Sequence, residues 1–198
     1  MYLGIGTVVL GGCALVASVA AARGNEIPPW EHRAFRAVNG LPDWLYRPLW
    51  LPMQLGNLVV GGVVGLVIAG VLRDWALAVG VVFAVVFKLL AERIFRARMA
   101  PYLLIRQRPG TSQPGAVLRG ADVPVSGPSF PSGHVILMAA VTGVVMSALP
   151  NVLPAVPVLL TALVMLGRVY VGAHNPPDVT AGLGLGMVVG GAPELALR

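Results

Sequence analysis

Charge is scarce in this chain: of 198 residues, 14 are Lys or Arg and 8 are Asp or Glu, 11% together. A soluble domain carries about a quarter charged residues, so this chain cannot coat itself with a water-facing surface. A disordered chain and a coiled coil are excluded with it. Aromatic residues make up 7%, and no aromatic-interleaved basic patch accompanies the pI of 10.4, which argues against a nucleic-acid partner. Cysteine is represented by Cys13 alone, so no intrachain disulfide can form, and its apolar neighbours predict a small buried thiol.

What is abundant is apolar: 57% of residues are hydrophobic and the mean hydropathy is +0.81. Many of the 25 Gly lie inside apolar runs, where small residues let membrane helices approach closely. The composition predicts an all-α integral membrane protein forming a single domain over residues 1–198.

A bilayer core takes roughly 20 mostly apolar residues per helix. Six stretches suit that requirement, at about 2–22, 51–72, 75–88, 134–149, 156–171 and 178–191, which predicts a bundle of about six transmembrane helices. Beyond Lys88 the third keeps a helical period through Leu89, Leu90, Ile94 and Phe95, so its end is expected to protrude into the interface. The sixth is short and Gly-rich. Ala20, Ala21 and Ala22 could pass for a signal-peptidase site, but no positive residue precedes the run, which favours a retained span. Residues 24–50 set Trp30, Phe35, Trp44, Leu45, Tyr46 and Trp50 among Arg33, Arg36 and Arg47, predicting an interfacial anchor helix after the first span. The core that carries the chemical motifs is expected over 51–190, with a long Pro- and Gly-containing loop over 97–130.

Two of the three His stand at span mouths. Ser129-Phe130-Pro131-Ser132-Gly133-His134 precedes the fourth span; the N–H groups of Ser132, Gly133 and His134 and the Ser132 hydroxyl would form an anion site at a helix start. Arg168 ends an otherwise apolar span, where an unpaired cation is costly, so it needs an anion. His174 and Asp178 lie one helical turn apart across the start of the sixth span, with Asn175 as the expected N-cap. A carboxylate there can accept the imidazole Nδ1–H and leave Nε2 free for attack. Simple stabilisation of the helix start would also explain Asp178. Arg108, in Arg106-Gln107-Arg108-Pro109, offers a planar fork for phosphate oxygens. Loops after odd-numbered spans emerge on one side, so these groups can meet. They suit phosphoryl transfer. No acidic cluster is present and the nearby cations would repel a divalent ion, so no metal and no cofactor are expected.

These residues resemble the type 2 phosphatidic acid phosphatases, a family that shares its phosphate site with vanadium haloperoxidases. The family's second motif, Pro-Ser-Gly-His, stands complete at Pro131 to His134, and Arg168, His174 and Asp178 keep the spacing of the third. Gly167 replaces the usual Ser of that motif. In the first motif Arg108-Pro109 match, but Pro101 stands where a Lys is usual. Lys88, the chain's one Lys, could supply that charge across an insertion, or Arg96, Arg98 or Arg106 could; a Lys88–Glu92 helix pair is the plain structural alternative. The resemblance covers about residues 50–190. It implies a metal-independent phosphatase in which His174 forms a phosphohistidine, Asp178 supports its ring and His134 protonates the leaving oxygen. Arg108, Arg168, Ser132 and the Gly133 N–H, with Lys88, would hold the phosphate.

A substrate with its tail in lipid and its phosphate at the headgroup level fits such a site: a polyprenyl phosphate or diphosphate, phosphatidic acid or phosphatidylglycerol phosphate. The small size favours a prokaryotic envelope enzyme acting on a polyprenyl carrier. A plain count of positive loops puts the site in the cytoplasm, whereas the family resemblance favours an outward-facing site in a prokaryotic plasma membrane. A transporter or flippase that binds the lipid phosphate without hydrolysis is the rival reading.

Overall fold

The computed structural model describes residues 2–23, 26–99 and 106–197. The first two residues of the expected interfacial segment, 24–25, and residues 100–105 of the long loop lie outside the described residues. All described elements are helical apart from one isolated bridge between Gln107 and Pro128. Helix α1 spans Tyr2–Ala22, α2 Pro29–Asn39, α3 Tyr46–Met53, α4 Leu58–Leu72, α5 Trp75–Met99, α6 Pro109–Ser112, α7 Gly133–Met146, α8 Ala155–Tyr170 and α9 Pro176–Leu197.

The six apolar helices α1, α4, α5, α7, α8 and α9 follow the expected order, and the protein is an integral membrane bundle. Gly4–Ala22 and Trp75–Arg98 are each long and apolar enough to cross a bilayer. At 1.5 Å per residue, α7 and α8 are shorter than a bilayer core, and α7 is buried almost throughout, from Val135 to Val145. It is the central post, with α5, α8, α4 and α9 packed around it.

The second span differs from expectation. A continuous helix from about residue 51 is interrupted, because Asn57 caps a new helix: its side chain accepts the Val59 N–H at 3.0 Å. The segment Asp43–Gly56 meets α4 at a bend of 75°. The interfacial region is also two helices rather than one. Trp30, Trp44 and Trp50 point outward as anchors should, yet α2 buries Glu31, Phe35 and Asn39, a row at four-residue spacing that faces the bundle.

Helix α9 is longer than its glycine-rich sequence suggests. Two glycine rows explain it. A methyl group at Gly182, Gly186 or Gly190 would lie 2.5–2.8 Å from the backbone oxygens of Ser132, Ile136 and Ala140 along α7 and its cap, and one at Gly184 would lie 2.6 Å from Gly11 O of α1. The glycines are the contact surface that lets α9 wedge between α1 and α7. Cys13, expected to be buried, is instead exposed on the outer face of α1.

Candidate active site

The loops that follow α1, α5 and α8 meet at one end of the bundle, as the alternation of spans requires. Helix α7 begins there. Ser132 precedes it in extended conformation (φ −72°, ψ 109°) but makes no side-chain cap, so its hydroxyl is buried without a hydrogen-bond partner. The expected trio of free N–H groups is reduced to two, because Ser132 N–H donates to Asp178 O at 3.0 Å. That bond ties the start of α7 to the start of α9. The Gly133 and His134 N–H groups head the first turn. A Cβ at Gly133 would lie 2.8 Å from Glu92 Oε1, so α5 passes directly beside this turn.

His174 lies in the short link between α8 and α9, 3% exposed. Its Nδ1 is 3.6 Å from Asp178 Oδ2, longer than the hydrogen bond expected. Asp178 is otherwise engaged: Oδ2 accepts the Asn175 N–H at 2.8 Å and Oδ1 accepts Arg106 Nε at 3.1 Å. The Asn175 side chain does not cap α9 as expected. It turns to the loop, accepting Gln113 Nε2 at 2.7 Å and donating to Gln107 O at 3.3 Å. Burial pushes the His174 imidazole below its ordinary value, with Asp178 pulling the other way. The ring is therefore neutral at ordinary pH, the form that carries a lone pair.

Arg168 reaches the same region from the last turn of α8. It is 6% exposed, and its Nε has no hydrogen-bond partner. With His134, Asp122, Arg119 and Tyr46 it lines a polar cleft under α3. Arg108 donates to Ala173 O at 2.9 Å, next to His174. Burial lowers its pKa, the Arg96 charge lowers it further, and Asp178 opposes both. His134 lies within electrostatic range of Arg168, His174, Lys88 and Arg108, so the sequence-selected groups share one site.

Two assignments change in detail. Lys88 does stand near the α7 start, but its Nζ pairs with Glu92 Oε2 at 2.6 Å, while Arg96 holds the other Glu92 oxygen at 2.8 Å. Arg106 is not available as a substitute phosphate ligand, because Glu31 and Asp178 occupy it from two sides. Gly167 is explained by Met53: a Cβ there would lie 2.6 Å from the Met53 Sδ, which fills the space a serine would need.

Sequence reasoning missed Glu31, Gln113 and the inward role of Asn39, whereas the Lys88–Glu92 helix pair it offered as an alternative is present. Glu31 had one local signal, its place four residues before Phe35 on the buried face of an otherwise Arg-rich helix. Asn39 brackets the loop, donating to Val117 O and Tyr170 O, both at 2.8 Å. Arg119 completes this clamp with bonds to Asp43, Asn39 O, Leu41 O and Tyr170 O. Among the described residues, no group of three or more His, Cys, Asp or Glu side chains is placed to hold a metal ion.

The helical arrangement has solved counterparts. The crystal structure of Aquifex aeolicus LpxE matches with a TM-score of 0.67 at 20% identity, covering 82% of this chain and 93% of that one. The first transmembrane PAP2 type phosphatidylglycerolphosphate phosphatase from Bacillus subtilis matches with a TM-score of 0.66 at 20% identity, covering 99% of this chain and 96% of that one. No curated protein matches by sequence. The PAP2 superfamily, however, matches residues 73–192, the stretch from the start of α5 to the body of α9 that holds both histidines. The chain belongs to that superfamily, the type 2 phosphatidic acid phosphatases.

Proposed function

We propose that this protein is a metal-independent membrane phosphatase that removes phosphate from a lipid phosphate or polyprenyl diphosphate through a phosphohistidine. The observation that carries this reading is a set of unsatisfied buried groups. The Ser132 hydroxyl, Arg168 Nε and His174 Nδ1 have no hydrogen-bond partner, although buried polar groups are nearly always paired. Two donors of this kind beside a helix start form a phosphoryl cradle.

In the proposed reaction the neutral His174 ring attacks phosphorus, forming an N–P bond as the bond to the leaving oxygen breaks. His134 gives that oxygen its proton. A water molecule then attacks the phosphohistidine, passes a proton to His134 and releases inorganic phosphate, restoring both rings. Arg108, Arg168, Ser132 and the Gly133 N–H hold the phosphoryl oxygens while charge develops. Lys88 contributes positive charge from behind Glu92.

The apolar wall of the bundle and the outward-facing Trp30, Trp44 and Trp50 support a substrate whose tail lies in lipid and whose phosphate lies at headgroup level. The matching fold of a phosphatidylglycerolphosphate phosphatase supports a phospholipid substrate. We place the site on the outer face of a prokaryotic plasma membrane. Labelling Val117→Cys with an impermeant thiol reagent in whole cells, after replacing Cys13, tests that side; protection in intact cells overturns it.

The test of activity is phosphate release in detergent from phosphatidic acid, phosphatidylglycerol phosphate, a polyprenyl phosphate and a polyprenyl diphosphate, wild type against His174→Ala. Release by wild type alone supports the reading. Binding without release by wild type would overturn it and favour a transporter.

A further inference from the structure

Helix α2 brings a second carboxylate to the site. Glu31 is fully buried, its Oε1 pairs with Arg106 Nη2, and Arg106 Nε reaches Asp178 Oδ1 at 3.1 Å. Asp178 in turn faces the His174 ring at 3.6 Å. A line of charge thus runs Glu31, Arg106, Asp178, His174, joining three parts of the chain that are distant in sequence. The other Glu31 oxygen, Oε2, is buried with no partner.

A half-satisfied buried carboxylate is a poor stabilising device, because desolvation offsets the gain from its one partner. An anchor helix would do better with an apolar residue there, as it has four positions on at Phe35. Charge arithmetic supplies another reason. Glu31 and Asp178 are negative and Arg106 positive, so the buried group carries one net negative charge. Were Arg106 to face Asp178 alone, it would neutralise it. With Glu31 drawing on the same guanidinium, the surplus charge on Asp178 is compensated when the His174 ring becomes cationic. The ring becomes cationic when its nitrogen bonds to phosphorus.

We propose that Glu31 is a positioning residue for His174, acting through Arg106 to keep the charge of Asp178 available to the imidazole during phosphoryl transfer. The inference rests on the phosphatase reading above. The other charged or titratable groups bearing on the ring are Arg168 of α8, Arg108 of the loop and His134 of α7. The two arginines oppose a cationic ring, which leaves Asp178 as its support. On α2 itself the neighbouring His32 turns away to Gln113 Oε1 at 2.5 Å.

The experiment is the pH dependence of phosphate release by the full chain in detergent, using whichever of the four named lipid phosphates wild type hydrolyses fastest. Glu31→Gln should lower kcat by about tenfold to a hundredfold, as loss of a supporting group does, with KM within about twofold. The acid limb of its profile should move to lower pH, since Arg106 then disfavours the cationic ring. Glu31→Asp should recover part of the rate. In Glu31→Gln/Arg106→Gln the surplus charge returns to Asp178, so the acid limb should come back to the wild-type position. A purely structural role predicts lower yield or melting temperature with an unmoved limb in every variant, and that result overturns the inference. Should Glu31→Gln fail to fold, Glu31→Asp carries the test: its shorter reach to Arg106 should move the acid limb part of the way to lower pH, and an unmoved limb overturns the inference. Wild-type protein releasing no phosphate from any of the four lipids overturns the phosphatase reading and this inference with it; an active wild type with unmoved limbs overturns this inference alone.

Discussion

The two histidines stand at the mouths of neighbouring helices in opposite kinds of surroundings. His174 is enclosed, with Asp178, Arg106 and Glu31 in line behind it. His134 is half-buried in the first turn of α7, makes no side-chain hydrogen bond among the described residues, and lines the cleft with Arg168. The difference suits the two tasks proposed for them. A nucleophile gains from one fixed position and one fixed charge state. A proton donor gains from freedom to follow whichever oxygen departs.

The largest test of this contrast is His174→Ala, which should reduce phosphate release by about 10⁴-fold or more on every substrate, because the covalent route is lost. His134→Ala should cost about 10²- to 10⁴-fold on lipid phosphates. On an aryl phosphate, whose leaving oxygen needs no proton, the loss in the first step, read as the burst of released phenol, should shrink to a few fold, while turnover stays limited by water attack. A phenol burst slowed by His134→Ala as much as lipid phosphate cleavage would remove the distinction between the rings. Arg168→Ala should reduce kcat by about 10²- to 10³-fold, the usual cost of a missing donor to developing charge.

A smaller effect concerns pH. His174 must be neutral to attack, and burial lowers its pKa, so the acid limb of kcat/KM should lie below the ordinary histidine value of 6.5. Lowering the pH through the depressed pKa protonates the ring and stops attack; raising it restores the lone pair. Asp178→Asn removes the group that supports the cation, so the limb should move lower still as the rate falls. The smallest effect is expected at Gly167→Ser, which must push Met53 aside. It should destabilise by about 1–3 kcal/mol, read as a lower melting temperature in detergent, and Met53→Ala should relieve it.

Residues of the site that stand close together in sequence were legible in it. Pro131 to His134 and Arg168 to Asp178 are set by helix starts and one-turn spacing, and these features survive in any fold that keeps the helices. Helix α5 was legible too, because its period continues past Lys88 through Glu92 to Arg96. The Glu31–Arg106 pair was not, since 75 residues separate its members and no local pattern encodes a contact across the bundle. The break before α4 was hidden because Asn57 interrupts an apolar run without ending it. The extent of α9 was hidden for a different reason: glycine lowers helix propensity in isolation, while here it creates the packing surface.

The bend at Asn57 has one more consequence. It lays Gly56 against the active-site helix so closely that a Cβ there would come within 2.7 Å of the His134 Cβ. In a scan of all substitutions, position 56 should therefore be as intolerant as the histidine it touches, although it offers no functional group. The tolerance map of this protein would mark a residue whose whole contribution is the volume it leaves empty.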